Sequence, residues 1–280
     1  MPTTEEYLGK IKDLNIVPPV LMSVLTLDDD NELPFSELEK MVQSDQILVT
    51  RLLRLANSPF YSRGNRVQNI KQIIALLGFK TVRSMVALAF VDSMFSSGNY
   101  KKFRQEVWEH SIAAAIISQF LCQDHNFKKE VDACLLGGLL KELGKIALNT
   151  VDRKKYIEVL TKYQENGGNL LEIEKEAFGV NSVELGSAAA ELWKLPQDIQ
   201  AIISDVNLDI TKQKVPVQLV TFASLLARKA GFGRFDESYE ERYENYMELF
   251  GIPSEKRDEI LEDYSKRLKD HELYKFCYAL

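Results

Sequence analysis

What constrains this chain most is its rhythm. Apolar residues recur every third or fourth position along nearly its whole length, and the strict alternation of a half-buried strand is almost absent. In FSELEKMVQ the pattern puts Phe35, Leu38 and Val42 on one helical face. DQILVTRLLRLANS does the same with Ile47, Leu48, Leu52 and Leu55. NIKQIIALLGFKTVRSMVALAFVDSMF reads as two helices broken near Gly78. EVWEHSIAAAIISQFLCQ reads as one strong helix, in which Ala113, Ala114 and Ala115 leave room for a close neighbour. Helix ends are signalled as well. Asn181 followed by Glu184 has the form of a capping box opening VELGSAAAELWKL. Gly167 and Gly179 suit helix C-terminal positions that need positive φ. Pro196, Pro216 and Pro253 each fit the first turn of a helix. The fold class expected is all-α.

The chain has 280 residues, enough for one large domain or two modest ones. Apolar residues make up 45% and charged residues 27%, an ordinary soluble balance. No apolar run approaches the length a membrane span requires. The opening MPTTEEYLGKIKDLN is acidic and polar, so no secretory signal is expected. Cys122, Cys134 and Cys277 are sparse, odd in number and free of any CxxC spacing. They argue against a disulfide framework and for a reducing, cytoplasmic setting. The net charge of −6 makes the protein as a whole no attractor for nucleic acid.

That charge is unevenly spread. Residues 46–91 hold no Asp or Glu but do hold Arg51, Arg54, Arg63, Arg66, Lys71, Lys80 and Arg83. Residues 236–280 hold 13 acidic and 7 basic side chains. Two readings stand. The two regions face one another, or each Arg tethers a nearby loop or helix end. Alternatively, Arg51, Arg54, Arg63, Arg66, Lys80 and Arg83 form a surface for an anionic partner, with Phe60, Tyr61 and Phe79 interleaved as stacking platforms. Packing explains Phe60 and Tyr61 more simply.

Several stretches resemble a known family. IVPPVLMSVLTLDDDNELPFSELEKMVQSDQILVTRLLRLANSPFYSRGNRVQNIKQIIALLGFKTVRSMV is similar to the opening half of an HDOD domain. VWEHSIAAAIISQFL, ACLLGGLLKELGKIAL and FGVNSVELGSAAAELWKLPQDIQAII continue the match into its second half. The resemblance implies an HD-like all-helical fold. It divides the chain into an HDOD domain over 1–232, with an N-terminal helical half at 10–95 and an HD-like half at 103–232. An acidic helical extension follows at 233–280. The family is regarded as a regulatory, non-hydrolytic relative of the HD phosphohydrolases.

Those enzymes hold metal with a His, a His-Asp pair and a distant Asp, often with further His. Such ligands lower the pKa of a bound water and so make a nucleophile at neutral pH. By position, His110 matches the first His, and Lys141 and Glu142 stand where the His-Asp pair would be. Ser182 falls where another His is frequent, Ser204 and Asp205 where a His pair is common, and Ser224 where the last Asp would sit. One expected ligand therefore remains, and an ammonium has no lone pair to offer a metal. The expectation is a vestigial site formed by His110, Lys141, Glu142, Ser182, Asp205 and Ser224, with no metal, no cofactor and no catalytic residues. Lys141 either reaches solvent or replaces the metal's positive charge by pairing with Glu142, Asp205 or another acid. His110 is expected to be a hydrogen-bonded core residue.

Cys122 and Cys134 lie in apolar stretches and read as structural thiols. No phosphate-binding glycine loop or nucleophile elbow is present. The function expected is a regulatory module that binds a protein partner in a signalling pathway or a small ligand, without turnover. Atypical metal-dependent phosphohydrolysis and nucleotide or nucleic-acid binding through 46–91 are the alternatives. The C-terminal stretch, with Ile260, Leu261, Tyr264, Leu268, Leu273 and Phe276 on its apolar positions, reads as a lid on the domain or as a homodimer element.

Overall fold

The computed structural model describes residues 3–13, 39–40, 42–43, 46–57, 66–95, 101–271 and 273–275. Among them there is no strand. The described helices are α1 (Thr4–Asp13), α2 (Gln46–Ala56), α3 (Ile70–Phe95), α4 (His110–Asp124), α5 (Val131–Leu140), α6 (Leu143–Val151) and α7 (Arg153–Asn166). They continue with α8 (Leu170–Phe178), α9 (Ser182–Leu192), α10 (Gln197–Ser204), α11 (Val215–Lys229), α12 (Glu237–Leu249) and α13 (Arg257–Asp270). A π-helical stretch, Arg104–Glu109, runs directly into α4.

The centre of the molecule is α4. Every residue from His110 to Ser118 is buried, as are Phe120, Leu121 and Cys122. A helix apolar on all sides has to be surrounded, and α5 and α11 pack on it from two directions. Small residues set how closely they approach. A Cβ on Gly138 of α5 would stand 2.5 Å from the Ala115 Cα of α4. On Gly144 of α6, a Cβ would collide with the Ser182 carbonyl of α9. The alanine run therefore does find the close neighbour it was expected to need. These two contacts bring the ends of α4, α5, α6 and α9 to one place.

The expected punctuation is largely present. Asn181 and Glu184 form the capping box of α9. Asp152, Asn169 and Asp236 cap α7, α8 and α12 through their side chains. Gly167 and Gly179 close α7 and α8 at φ of 71° and 80°. At Gly78, φ is 77° and ψ 161°, so the continuous stretch 70–95 is two helices meeting at a break, as expected. Of the prolines only Pro216 lies within a first turn of an α-helix. Pro196 and Pro253 stand one residue ahead, in extended conformation.

The N-terminal helices are layered on this core. Tyr7 of α1 is buried and donates to the Phe178 carbonyl at 3.1 Å. α2 packs on α3, and α3 on α5. Among the described residues, the acidic C-terminal helices pack elsewhere, α12 on α11 and α13 on α4. There Arg267 and the Tyr264 hydroxyl both donate to Asp124, at 2.6 and 3.1 Å. Tyr264, Leu268 and Leu273 are buried, and Ile260 and Leu261 are partly buried against the core, so the apolar positions of this segment are used within the chain. Phe276 lies outside the described residues, as does Cys277. Cys122 and Cys134 are buried free thiols.

Candidate functional site

α4 and α11 run antiparallel and meet in two polar rungs. Glu106, in the π-helical turn just before α4, accepts from Arg228 at 3.1 Å. One turn further along, His110 meets Ser224, with 2.9 Å between Nε2 and Oγ. Each helix spaces its two residues four apart, which puts them on one face. The π-helical turn is a common way to re-aim a side chain at a site.

The His110 ring is wholly buried, and its tautomer follows from its partners. Nδ1 lies 2.8 Å from the Phe232 carbonyl, which can only accept, so Nδ1 carries the proton. The Nε2 lone pair is then the acceptor for the Ser224 hydroxyl and for the Lys141 ammonium, 2.9 Å away. Burial and the adjacent Lys141 cation hold the imidazole pKa well below the ordinary histidine value, so the ring stays neutral. His110 is thus the hydrogen-bonded core residue expected.

Lys141 sits at the junction of α5 and α6 and is only 11% exposed. Its ammonium contacts the Glu142 carboxylate, whose second oxygen accepts from Lys145 at 2.8 Å. Of the two expectations for Lys141, pairing with Glu142 is the one the structure displays. Asp205 takes no part. It accepts from its neighbour Ser204 at 2.6 Å, on the exposed surface after α10. The reason is local: α10 ends at Ser204, and the chain turns outward through 205–207.

Electrostatics follow the geometry. Burial alone would raise the Glu142 carboxyl, but Lys141 and Lys145 outweigh it and hold the pKa well below the usual carboxylate range. Burial lowers Lys141 to about 8, against the opposing pull of Glu142. Burial also disfavours charge on Lys145, yet its pKa is raised, because it lies in the field of Glu174 as well as Glu142. Glu174 is itself buried, accepting from the Tyr156 hydroxyl at 2.8 Å and the Ser182 amide at 2.7 Å. Its pKa is raised by that burial.

These groups floor a cavity of about 510 Å³. Its walls come from α8, α9, α10, α11 and α12, and Gly168, Asn207 and Ser238 form an exposed rim. Lys141, Glu142, Ser182 and Ser224 line it, with His110 directly beneath, so five of the six expected positions converge and Asp205 does not. Lys145, Arg228, Arg242, Glu106 and Glu174 were not picked out from the sequence. Lys145 did leave a trace, being a lone cation in the otherwise apolar run Leu143–Leu148, whereas Arg228 stands beside Lys229 at a helix end, where basic residues are ordinary.

A divalent metal does not fit this donor set. The one imidazole lone pair is taken by an ammonium, and Glu142 is shared between two lysines. Among the described residues no group of three or more His, Cys, Asp or Glu side chains could hold a metal ion.

Among the described residues of the basic stretch 46–91, the cations do not all reach the surface. Arg54 and Arg66 are exposed, but Arg83 is buried at 8% exposure, because its helix α3 packs on the core. Arg63 and the side chains of Arg51 and Lys80 lie outside the described residues. No described helix is long and apolar enough to cross a membrane.

Comparison with known proteins fits this architecture. The HDOD domain profile matches residues 14–207. The chain is similar to the crystal structure of an HDOD domain protein of unknown function from Geobacter sulfurreducens. The two share 22% identity, with 99% of this chain and 95% of that one covered, at a TM-score of 0.74. A Shewanella amazonensis SB2B protein, provisionally named a phosphohydrolase, aligns at 20% identity, 97% and 96% coverage and a TM-score of 0.69. A Marinobacter aquaeolei VT8 protein, provisionally named a signal transduction protein, aligns at 17% identity, 98% and 65% coverage and a TM-score of 0.70. At these identities the likeness is one of fold. A curated relative, an uncharacterised protein of Treponema pallidum (strain Nichols), is 21% identical over 251 residues, 89% of this chain. The chain spans about half of that protein's length.

Proposed function

Given that the chain belongs to the HDOD family, we propose that it is a non-catalytic signalling module, acting by binding a protein partner or a small ligand. One observation carries this reading. The Lys141 ammonium donates to His110 Nε2, the lone pair a catalytic metal would need. A lysine in that place supplies the positive charge of the ion without its vacant coordination positions, so it activates no water. Glu142, the single carboxylate on the cavity floor, is shared between the two lysines and is not free to act as a base.

The signalling name of the Marinobacter neighbour agrees with this reading, and the phosphohydrolase name of the Shewanella neighbour points the other way. The donor set favours the former. A module of this kind works by presenting a surface that differs between its free and bound states.

Elemental analysis of the purified protein, beside a phosphodiesterase and phosphomonoesterase screen with added manganese and iron, tests the reading. The expected result is no stoichiometric transition metal and no turnover above background. Stoichiometric metal with turnover that disappears in His110→Ala would overturn it.

A further inference from the structure

The cavity over Glu142 is charged in a way that a mere remnant would not require. Its lining holds four cations, Lys141, Lys145, Arg228 and Arg242, and one carboxylate, Glu142. Behind the lining, Glu106 pairs with Arg228, and Glu174 lies near Lys145. Even with all three acids ionised, four cations face three carboxylates. The three acids match the buried Lys141, Lys145 and Arg228, so the surplus charge is Arg242, half-buried at the cavity mouth, and an anion entering the cavity would meet it without a counter-charge.

Arg242 makes the point most directly. It reaches the cavity from α12 and bonds only neutral oxygens, the Val206 carbonyl and Asn207 Oδ1. Among the described residues no carboxylate pairs with it. The first turns of α8, at Leu170 and Leu171, and of α9, at Ser182 and Val183, also line the cavity. Helix N-termini carry partial positive charge and add to the same field. The remaining wall, with Ile202, Val206, Val220, Leu225 and Tyr239, is apolar or aromatic. Its volume of about 510 Å³ is within the range of small-molecule sites.

We propose that this cavity binds a small oxyanionic ligand, a phosphate ester or a polycarboxylate. Its anionic head is taken by Lys141, Lys145, Arg228 and Arg242, and its less polar body lies on the α10 and α11 wall. The proposal rests on the reading of the protein as a binding module and names the chemistry of what is bound.

Isothermal titration calorimetry of the full chain with inorganic phosphate, AMP and citrate, at low and high salt, provides the test. The expected result is one site per chain, with a Kd of about 1 mM or tighter for at least one of the three. Heat from AMP but not citrate assigns a phosphate ester, and the reverse a polycarboxylate. Affinity should fall about tenfold or more in Arg242→Ala, which removes a charged donor at the rim and leaves the buried floor in place. Arg54→Ala, on the exposed face of α2, should leave it unchanged. Absence of binding by all three probes, or equal weakening by Arg54→Ala and Arg242→Ala, overturns the proposal while leaving the non-catalytic reading intact. One-site binding of AMP followed by its turnover would do the opposite.

Discussion

Two buried charge clusters lie within two helical turns of one another, and they are built differently. In the first, Glu106 accepts from Arg228 and from the Arg234 amide at 2.8 Å, one partner for each carboxylate oxygen. Arg228 spends a further donor on the Arg234 carbonyl at 3.0 Å. Charge is balanced, and the loop after α11 is fastened to the start of α4. In the second, Glu142 stands between Lys141 and Lys145, so the cluster has one more cation than anions. In the first cluster Arg228 lines the cavity with Glu106 behind it, and the second forms the cavity floor. A balanced pair closes structure; an unbalanced triad at a cavity leaves something to be bound.

Breaking the triad at its centre should have the largest effect. Glu142→Gln leaves two buried ammonium groups facing each other with only Glu174, near Lys145, as counter-charge, and should cost about 3–5 kcal/mol of unfolding free energy in denaturant melts. Glu106→Gln keeps an acceptor for only one of its two donors and removes the counter-charge of Arg228, but Arg228 retains the Arg234 carbonyl, so the cost should be less, about 1.5–3 kcal/mol. If Glu106→Gln proves the more damaging, the contrast between the clusters has been assigned the wrong way round.

Lys141 sharpens the comparison through pH. Its folded pKa, about 8, lies below the ordinary lysine value of 10.5, so the unfolded chain binds more protons between those values. Lys141 therefore costs stability below pH 8, and the cost is relieved as pH rises toward 10. The full span corresponds to about 3 kcal/mol. Lys141→Met removes this dependence, so its stability relative to the native chain should be greatest at pH 7 and decline between pH 8 and 10. Glu142 acts in the opposite range. With its folded pKa depressed, it contributes stability above pH 4.5 that is lost as pH falls through the folded value. A constant difference between Lys141→Met and the native protein across pH 7–10 would refute the assignment.

The smallest effect belongs to Asp205. It lies outside the cluster, so Asp205→Asn should change unfolding free energy by less than about 0.5 kcal/mol and leave ligand affinity unaltered. A loss comparable to that of Arg242→Ala would bring Asp205 back into the site.

The helices, their caps and the broken stretch at Gly78 could be read along the chain, because periodicity, Asn181-Glu184 and glycine at positive φ are local signals. The family was legible for a related reason. His110 and the Lys141-Glu142 pair occupy motif positions recognisable by their apolar flanks. What could not be read was pairing across the bundle. Glu106 and Arg228 are 122 residues apart, and no local rule ties them.

The same limit explains Asp205 and Arg83. A one-dimensional pattern gives spacing but not direction, and the end of α10 and the packing of α3 settled both. Sequence alone determined that this is an all-helical chain of the HDOD family with a Lys141-Glu142 pair at its motif position. Tertiary structure decided that Lys141 is buried and paired. It also decided that a second lysine and two arginines share its cavity. Long-range charge balance is a property of distances, and distances exist only once α4, α5, α6, α11 and α12 have packed together.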